Sequence, residues 1–206
     1  RVDLPLSVDI DTGFGNALNV QRTVRVFERA GASALQIEDQ VMPKRCGHML
    51  GKTVIEKDEM CQKLHAARDA REDPDFVIIA RCDAMLVNGL DDVLERGDAY
   101  IEAGADMLFC EVRDSMAEVE ALAGHFRGRV PLHWNYSPSP MVPRLSAKEV
   151  EALGYKTCCF YVQSLMAAAK TMQEVLAEIR ITGSAETIEK RMIGFEELWD
   201  INDMAS

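Results

Sequence analysis

The sequence predicts an α/β fold of repeated strand–helix units around a parallel sheet, and three observations carry that expectation. Short apolar runs of strand length alternate with amphipathic stretches of roughly 3.6-residue period. Strand starts fall about 24 to 44 residues apart, the spacing of successive strand–helix units. Glycines follow the helical stretches at Gly31, Gly104 and Gly154, where a left-handed C-cap needs a residue without a Cβ.

In chain order, the strands are expected at Leu4–Asp11, Ala32–Asp39, Phe76–Asp83, Asp106–Val112, Val130–Asn135 and Thr157–Val162. Helical spacing appears between them, as in Val20, Val24, Phe27 and Ala30, and in Met60, Leu64, Ala67 and Ala70. Ser164–Arg180 reads as a further helix and Gly183-Ser184 as a break. Ala185–Asp200 reads as one last helix carrying Ile188, Met192, Phe195, Leu198 and Trp199. Its aromatic end needs a surface, on its own domain or on a neighbouring subunit. A doubly wound sheet would bring a phosphate-binding glycine fingerprint after its first strand, and Gly13-Phe14-Gly15 is too short for one. A barrel needs eight units, and six are visible. The chain opens at Arg1 without methionine and enters a strand within three residues. As a barrel it therefore lacks two strands at its N-terminus, and the fragment alone is not expected to be a complete enzyme.

The 206 residues suffice for one sizeable domain, with 48% hydrophobic and 28% charged residues, an ordinary globular balance. No apolar run approaches a bilayer span and no secretory segment opens the chain, so a cytoplasmic location is expected. A net charge of −11 argues against nucleic acid. It also demands a local cluster of cations wherever an anionic substrate binds. The six cysteines show no C-x-x-C pair and no zinc-ligand spacing, which fits reduced thiols in a cytosol-like compartment.

Period-two alternation places Ser7, Asp9 and Asp11 on one face of the first strand, with Val8 and Ile10 toward the outer helices. The same rule pairs Gln36 with Glu38, Arg81 with Asp83, Phe109 with Glu111, and His133 with Asn135. Five strands in succession carry polar groups at their C-terminal ends, where parallel α/β folds build active sites. Asp9, Asp11 and Glu38 converge from adjacent strands, and three gathered anions need a cation. Oxygen donors alone favour Mg²⁺ or Mn²⁺ over zinc. The alternative is pairing with Arg81 or Lys44 only.

The loop after the second strand carries Lys44-Arg45-Cys46-Gly47-His48, then Gly51-Lys52. Flanking cations favour the thiolate, which makes Cys46 a poised proton donor or nucleophile, with His48 beside it as a second catalytic candidate. The glycines let the segment fold over a ligand. Asn135-Tyr136-Ser137-Pro138-Ser139-Pro140 offers amide and hydroxyl groups for a carboxylate cradle.

Together these pieces resemble the isocitrate lyase / phosphoenolpyruvate mutase superfamily. Asp9-Ile10-Asp11-Thr12-Gly13-Phe14-Gly15-Asn16 is similar to its metal-binding strand. Ile37-Glu38-Asp39-Gln40 followed by Pro43-Lys44-Arg45-Cys46-Gly47-His48 is similar to the lyase signature with its catalytic cysteine. Ala80-Arg81-Cys82-Asp83-Ala84 resembles Ala-Arg-Thr-Asp-Ala. The likeness runs from Val8 to about Ala169 and is closest to the methylisocitrate and isocitrate lyases.

The resemblance implies a (β/α)8 TIM-type barrel, of which residues 1–180 supply strands three to eight. It also implies a C-terminal helical segment, 181–206, exchanged between subunits of a homotetramer. It implies Mg²⁺ held by Asp9 and Asp11 with Glu38 near. Cys46 becomes the acid, Arg81 a contact to a substrate carboxylate, and Glu111 a group beside metal and substrate. Lys44, Arg45, Gly47, Asn135, Ser137 and Ser139 complete the substrate contacts. The implied reaction is retro-aldol cleavage of a 2-hydroxy di- or tricarboxylate, isocitrate or 2-methylisocitrate in type. Its products are succinate and a 2-oxo acid, glyoxylate or pyruvate. Two rivals remain open: oxaloacetate decarboxylation or 2,3-dimethylmalate cleavage on the same scaffold, and a non-catalytic homologue.

Overall fold

Six parallel strands follow one another in chain order in a computed structural model that describes residues 3–47, 49–113 and 115–204. They are β1 (Ser7–Asp9), β2 (Ala34–Glu38), β3 (Val77–Cys82), β4 (Met107–Cys110), β5 (His133–Asn135) and β6 (Thr157–Cys159). The first four form one sheet in the order β1-β2-β3-β4, and β5 pairs with β6. A parallel bridge, Leu108 to Leu132, joins the two groups. A doubly wound sheet reverses its strand order at a switch point. Here the neighbours never reverse, as in the wall of a barrel. Six strands are seen among the described residues, with β1 and β6 at the edges, so the expected eight-strand wall appears as an arc.

The helices α1 (Ala17–Arg29), α2 (Lys57–Ala70), α3 (Leu90–Glu102), α4 (Met116–Phe126) and α5 (Ala147–Leu153) fill the connections. Local chemistry sets their ends. Asn16 accepts from the Leu18 and Asn19 amides while the Asn19 side chain accepts from the Asn16 amide, a reciprocal N-cap for α1. Gly154 closes α5 at φ 106°, the left-handed conformation its position predicts. Strand residues alternate faces. Leu35, Ile37, Ile78, Ala80 and Leu108 are buried in one cluster with Val24, Leu64, Val93 and Phe126 of the helices. Gln36, Arg81 and Phe109 point the other way, into the space enclosed by the arc.

The chain divides into two compact units, Arg1–Tyr161 and Val162–Ser206. The second unit holds α6 (Gln163–Thr182), α7 (Glu186–Glu189) and α8 (Phe195–Ile201). The single helix expected over Ala185–Asp200 is thus two. Gly194 is extended at ψ 165° and starts α8 anew, and a glycine there costs helix propagation. No described helix is long and apolar enough to cross a membrane.

One polar network lies within the first unit's core. Asp39 is fully buried; its Oδ1 accepts from the Asp83 amide at 2.8 Å and its Oδ2 from the Tyr100 hydroxyl at 2.7 Å. Arg96 adds a contact to Asp39 at 3.3 Å and donates to the Ile55 carbonyl at 2.9 Å. Helix α3 is thereby fastened to the ends of β2 and β3. Removing a donor from a buried carboxylate costs about 1–3 kcal/mol. Tyr100→Phe is accordingly expected to lower the unfolding free energy by that amount in urea titrations. An unchanged midpoint would show Asp39 to be satisfied without the phenol.

Candidate active site

The C-terminal ends of the strands open into a cavity of about 280 Å³, and every strand contributes to its wall. Ser7 and Asp9 come from β1, Gln36 from β2, Ile79 and Arg81 from β3, and Phe109 from β4. His133 and Asn135 come from β5 and Cys159 from β6, with Glu111 and Tyr161 just beyond strand ends. The loop after β2 adds Cys46 and Gly47. Period-two alternation is what aims these side chains inward.

Arg81 is the electrostatic centre. Its Nε and Nη2 meet the two oxygens of Asp83 at 2.9 and 3.1 Å, Nη2 meets Glu111 at 3.1 Å, and Nε lies 3.4 Å from Glu38. Its guanidinium also sits over the Phe109 ring, 4.8 Å from the centroid. Burial opposes the charge on Asp83, yet Arg81 and Lys52 outweigh it and hold that carboxyl below the usual range. Glu38 and Glu111 go the other way. Burial pushes each up to about 7 despite the pull of Arg81, so both sit where a proton is gained or lost near neutrality.

The strand alternation expected through Asp11 stops at Asp9. Asp11 takes φ 49° in a turn, and Gly13 follows at φ 87°, where a Cβ would come within 2.4 Å of Val20 Cγ2. Asp9 accepts from the Asp11 amide at 2.8 Å and from Gln36 Nε2 at 3.3 Å. Asp11 and Glu38 do share a cation, and it is the Lys44 ammonium, 2.9 Å from Asp11 and 3.5 Å from Glu38. No set of three His, Cys, Asp or Glu side chains stands ready to hold a metal among the described residues. Glu38 nevertheless fits one. Both its oxygens are buried and accept no hydrogen bond among the described residues. Such a carboxylate, with Asp9 and Asp11 as further oxygen donors, suits a hard divalent ion on displacement of Lys44.

Of the other expected residues, Cys46 is exposed in the loop and Asn135 lines the cavity. Arg45 turns its guanidinium to the Leu50 carbonyl at 3.3 Å. Ser137 is buried against the Tyr161 hydroxyl at 3.2 Å and the Ser139 amide at 3.1 Å, and Ser139 accepts from the Met141 amide. Ser139 braces its own turn, and Ser137 ties that turn to Tyr161 of the cavity wall. His48 lies outside the described residues. Sequence reasoning assigned no role to Lys52, nor to the Asp39–Tyr100–Arg96 network behind the wall. A signal for the latter was present: Val93, Arg96 and Tyr100 are spaced so that a cation shares the core-facing side of α3.

His133 is uncharged in this setting. Burial and then Arg81 lower its pKa to about 4, and Nδ1 lies 2.7 Å from Thr157 Oγ1. Between pH 6.5 and 4 the unfolded imidazole binds a proton that the folded one does not, so its contribution to stability is full above 6.5 and falls on acidification. Going from pH 7 to 5 is expected to cost wild type about 1–2 kcal/mol more than His133→Gln. Urea titrations of both proteins at the two pH values check this, and equal losses would place a charged imidazole in the cavity.

Comparison with known proteins follows the same lines. The sequence profile of the phosphoenolpyruvate phosphomutase family matches residues 1–180. The 2,3-dimethylmalate lyase of Eubacterium barkeri is 41% identical over 198 residues, 96% of this chain and 68% of that one. The 2-methylisocitrate lyase of Aeropyrum pernix is 42% identical over 200 residues, 97% of this chain and 64% of its own length. The chain thus spans about two thirds of these relatives. A crystal structure of phosphonopyruvate hydrolase with oxalate and Mg²⁺ superposes with a TM-score of 0.87 at 34% identity, covering 98% of this chain and 70% of that one.

Proposed function

From the premise that this chain belongs to the phosphoenolpyruvate phosphomutase / isocitrate lyase superfamily, we propose that its site cleaves a carbon–carbon bond. The substrate proposed is a small 2-hydroxy di- or tricarboxylate of the isocitrate or 2-methylisocitrate type, and the products are succinate and a 2-oxo acid. The observation that carries this reading is an exposed thiol, Cys46, in the same cavity wall as the buried guanidinium of Arg81. Retro-aldol chemistry needs those two things: a cation where negative charge develops and an acid for the resulting carbanion.

In this reading the 2-hydroxyl proton leaves to a base as the C–C bond breaks. The bonding pair passes to the fragment that departs as an aci-carboxylate. Arg81, held by Asp83 and backed by Phe109, binds and steadies that carboxylate. Cys46 delivers its proton to the carbanion carbon and is reprotonated from solvent. Glu111, near 7 and in contact with Arg81, can hold a proton on that side of the cavity. Asp9, Asp11 and Glu38 would hold a divalent cation, Mg²⁺ or Mn²⁺, which supplies positive charge to the reacting oxygens when bound. Lys44 and the Gly47 backbone belong to the loop that faces the substrate, and Asn135 offers an amide to its far carboxylate.

The resemblance to the dimethylmalate lyase supports a second reading, 2,3-dimethylmalate cleavage by the same groups. The assembly proposed is a homotetramer exchanging the segment 181–206, supported by the exposed Phe195, Leu198, Trp199 and Ile201 of α8.

A panel of 2-methylisocitrate, isocitrate and 2,3-dimethylmalate, assayed on the full-length protein for release of 2-oxo acid with Mg²⁺ and then with EDTA, tests the reading. One lyase substrate should stand out and lose turnover in EDTA; turnover of none would count against it. Cys46→Ser should retain substrate binding by calorimetry while kcat falls about 10²- to 10⁴-fold, the usual worth of a positioned acid. Near-normal turnover in that variant would remove the thiol from the mechanism.

A further inference from the structure

We propose that Lys52 is a positioning residue that pins the Cys46 thiol to the cavity wall, an inference that rests on the acid role given to Cys46 above. The thiol is exposed, but the main chain on both sides of it is tied down by buried side chains. On one side, Gln40 donates from Nε2 to the Arg45 carbonyl and accepts from the Arg45 amide through Oε1, both at 2.9 Å. On the other, the Lys52 ammonium donates to the Gly47 carbonyl at 2.7 Å and to Asp83 Oδ1 at 2.9 Å. The Lys52 side chain is 1% exposed and Asp83 0%.

Gly47 lies hard against the wall. A Cβ there would fall 2.4 Å from Arg81 Nη2 and 2.8 Å from Glu111 Oε2, closer than any side chain allows. The Lys52 contact therefore holds a backbone segment already in contact with the Arg81–Glu111 pair. Asp83 is the shared anchor. The carboxylate that accepts from Arg81 also accepts from Lys52, and its own amide is fixed by Asp39 from the core network. A hydrogen bond from a charged donor in a water-excluded setting is among the stronger ones. The distance between the proton donor and the carboxylate-binding cation is thus held from the Gly47 side by one buried lysine, opposite the hold of Gln40 on Arg45. Lys52 touches no reacting atom and acts through Gly47.

The test compares wild type with Lys52→Met, and with Lys52→Gln, which keeps an uncharged donor in a similar volume. Amide hydrogen exchange is followed in the segment 41–51 and in β2–β4. Lys52→Met should exchange at least about tenfold faster in 41–51 with β2–β4 unchanged, as expected when a charged hydrogen bond closing a local opening is lost. Lys52→Gln should fall between. On the preferred substrate, kcat should drop about tenfold or more with KM within about twofold, since no substrate contact is removed. Wild-type exchange in 41–51 of either folded variant would overturn the assignment. Loss of fold in both would make Lys52 a core element and overturn it equally. If wild type cleaves nothing on the panel, the lyase reading fails while the exchange arm still decides whether Lys52 pins the loop.

Discussion

The buried carboxylate of Asp83 is the constraint on which the site depends. It stands at the end of β3 with no exposed surface, and an isolated carboxylate there would be severely penalised. It is tolerated because two cationic donors converge on it, the forked guanidinium of Arg81 and the ammonium of Lys52, while the Asp83 amide donates to the carboxylate of Asp39. Each contact faces a different part of the structure. Arg81 looks into the cavity, Lys52 into the loop, and Asp39 back to α3. A single desolvated anion is in this way the junction between core, wall and loop.

The electrostatic pattern around that junction is graded. Asp83 is driven to stay ionised, whereas Glu38 and Glu111, sharing the same guanidinium at longer or less complete contact, are lifted toward neutrality by burial. Carboxyls with opposed tendencies within one cavity are the usual groundwork for dividing permanent charge from proton carrying. The protein's net charge of −11 would repel an anionic substrate at a distance, and Arg81, Lys44 and Lys52 are cations gathered at the site, each paired with its carboxylates.

The barrel-like wall serves this arrangement by geometry. Parallel strands in unbroken order bring their C-terminal ends to one side, so residues far apart in sequence, such as Asp9 and Asn135, face one space. The alternating pleat separates an outer apolar face, packed by the helices, from an inner polar one. Regular strand backbone places Asp9, Gln36, Arg81, Phe109, His133 and Asn135; departures from it place the loop residues. Asp11 at positive φ and the docked Gly47 are both deviations that a strand or helix would not permit.

Fold class and the inward polar face could be read from residue patterns alone, because period and glycine punctuation are local properties; the unbroken strand order came with the barrel that the resemblance implies. The clustering of Asp9, Arg81, Glu111, Asn135 and Cys46 was legible for the same reason, each lying at a strand end or in the loop that follows one. What the chain's local pattern could not specify was pairing. That Lys44 bridges Asp11 and Glu38, and that Ser139 braces a turn, depend on packing. The role of Lys52 was hidden for the same cause. A lysine reads as a solvated charge until the tertiary fold encloses it and leaves a buried carboxylate and a carbonyl as the partners within its reach.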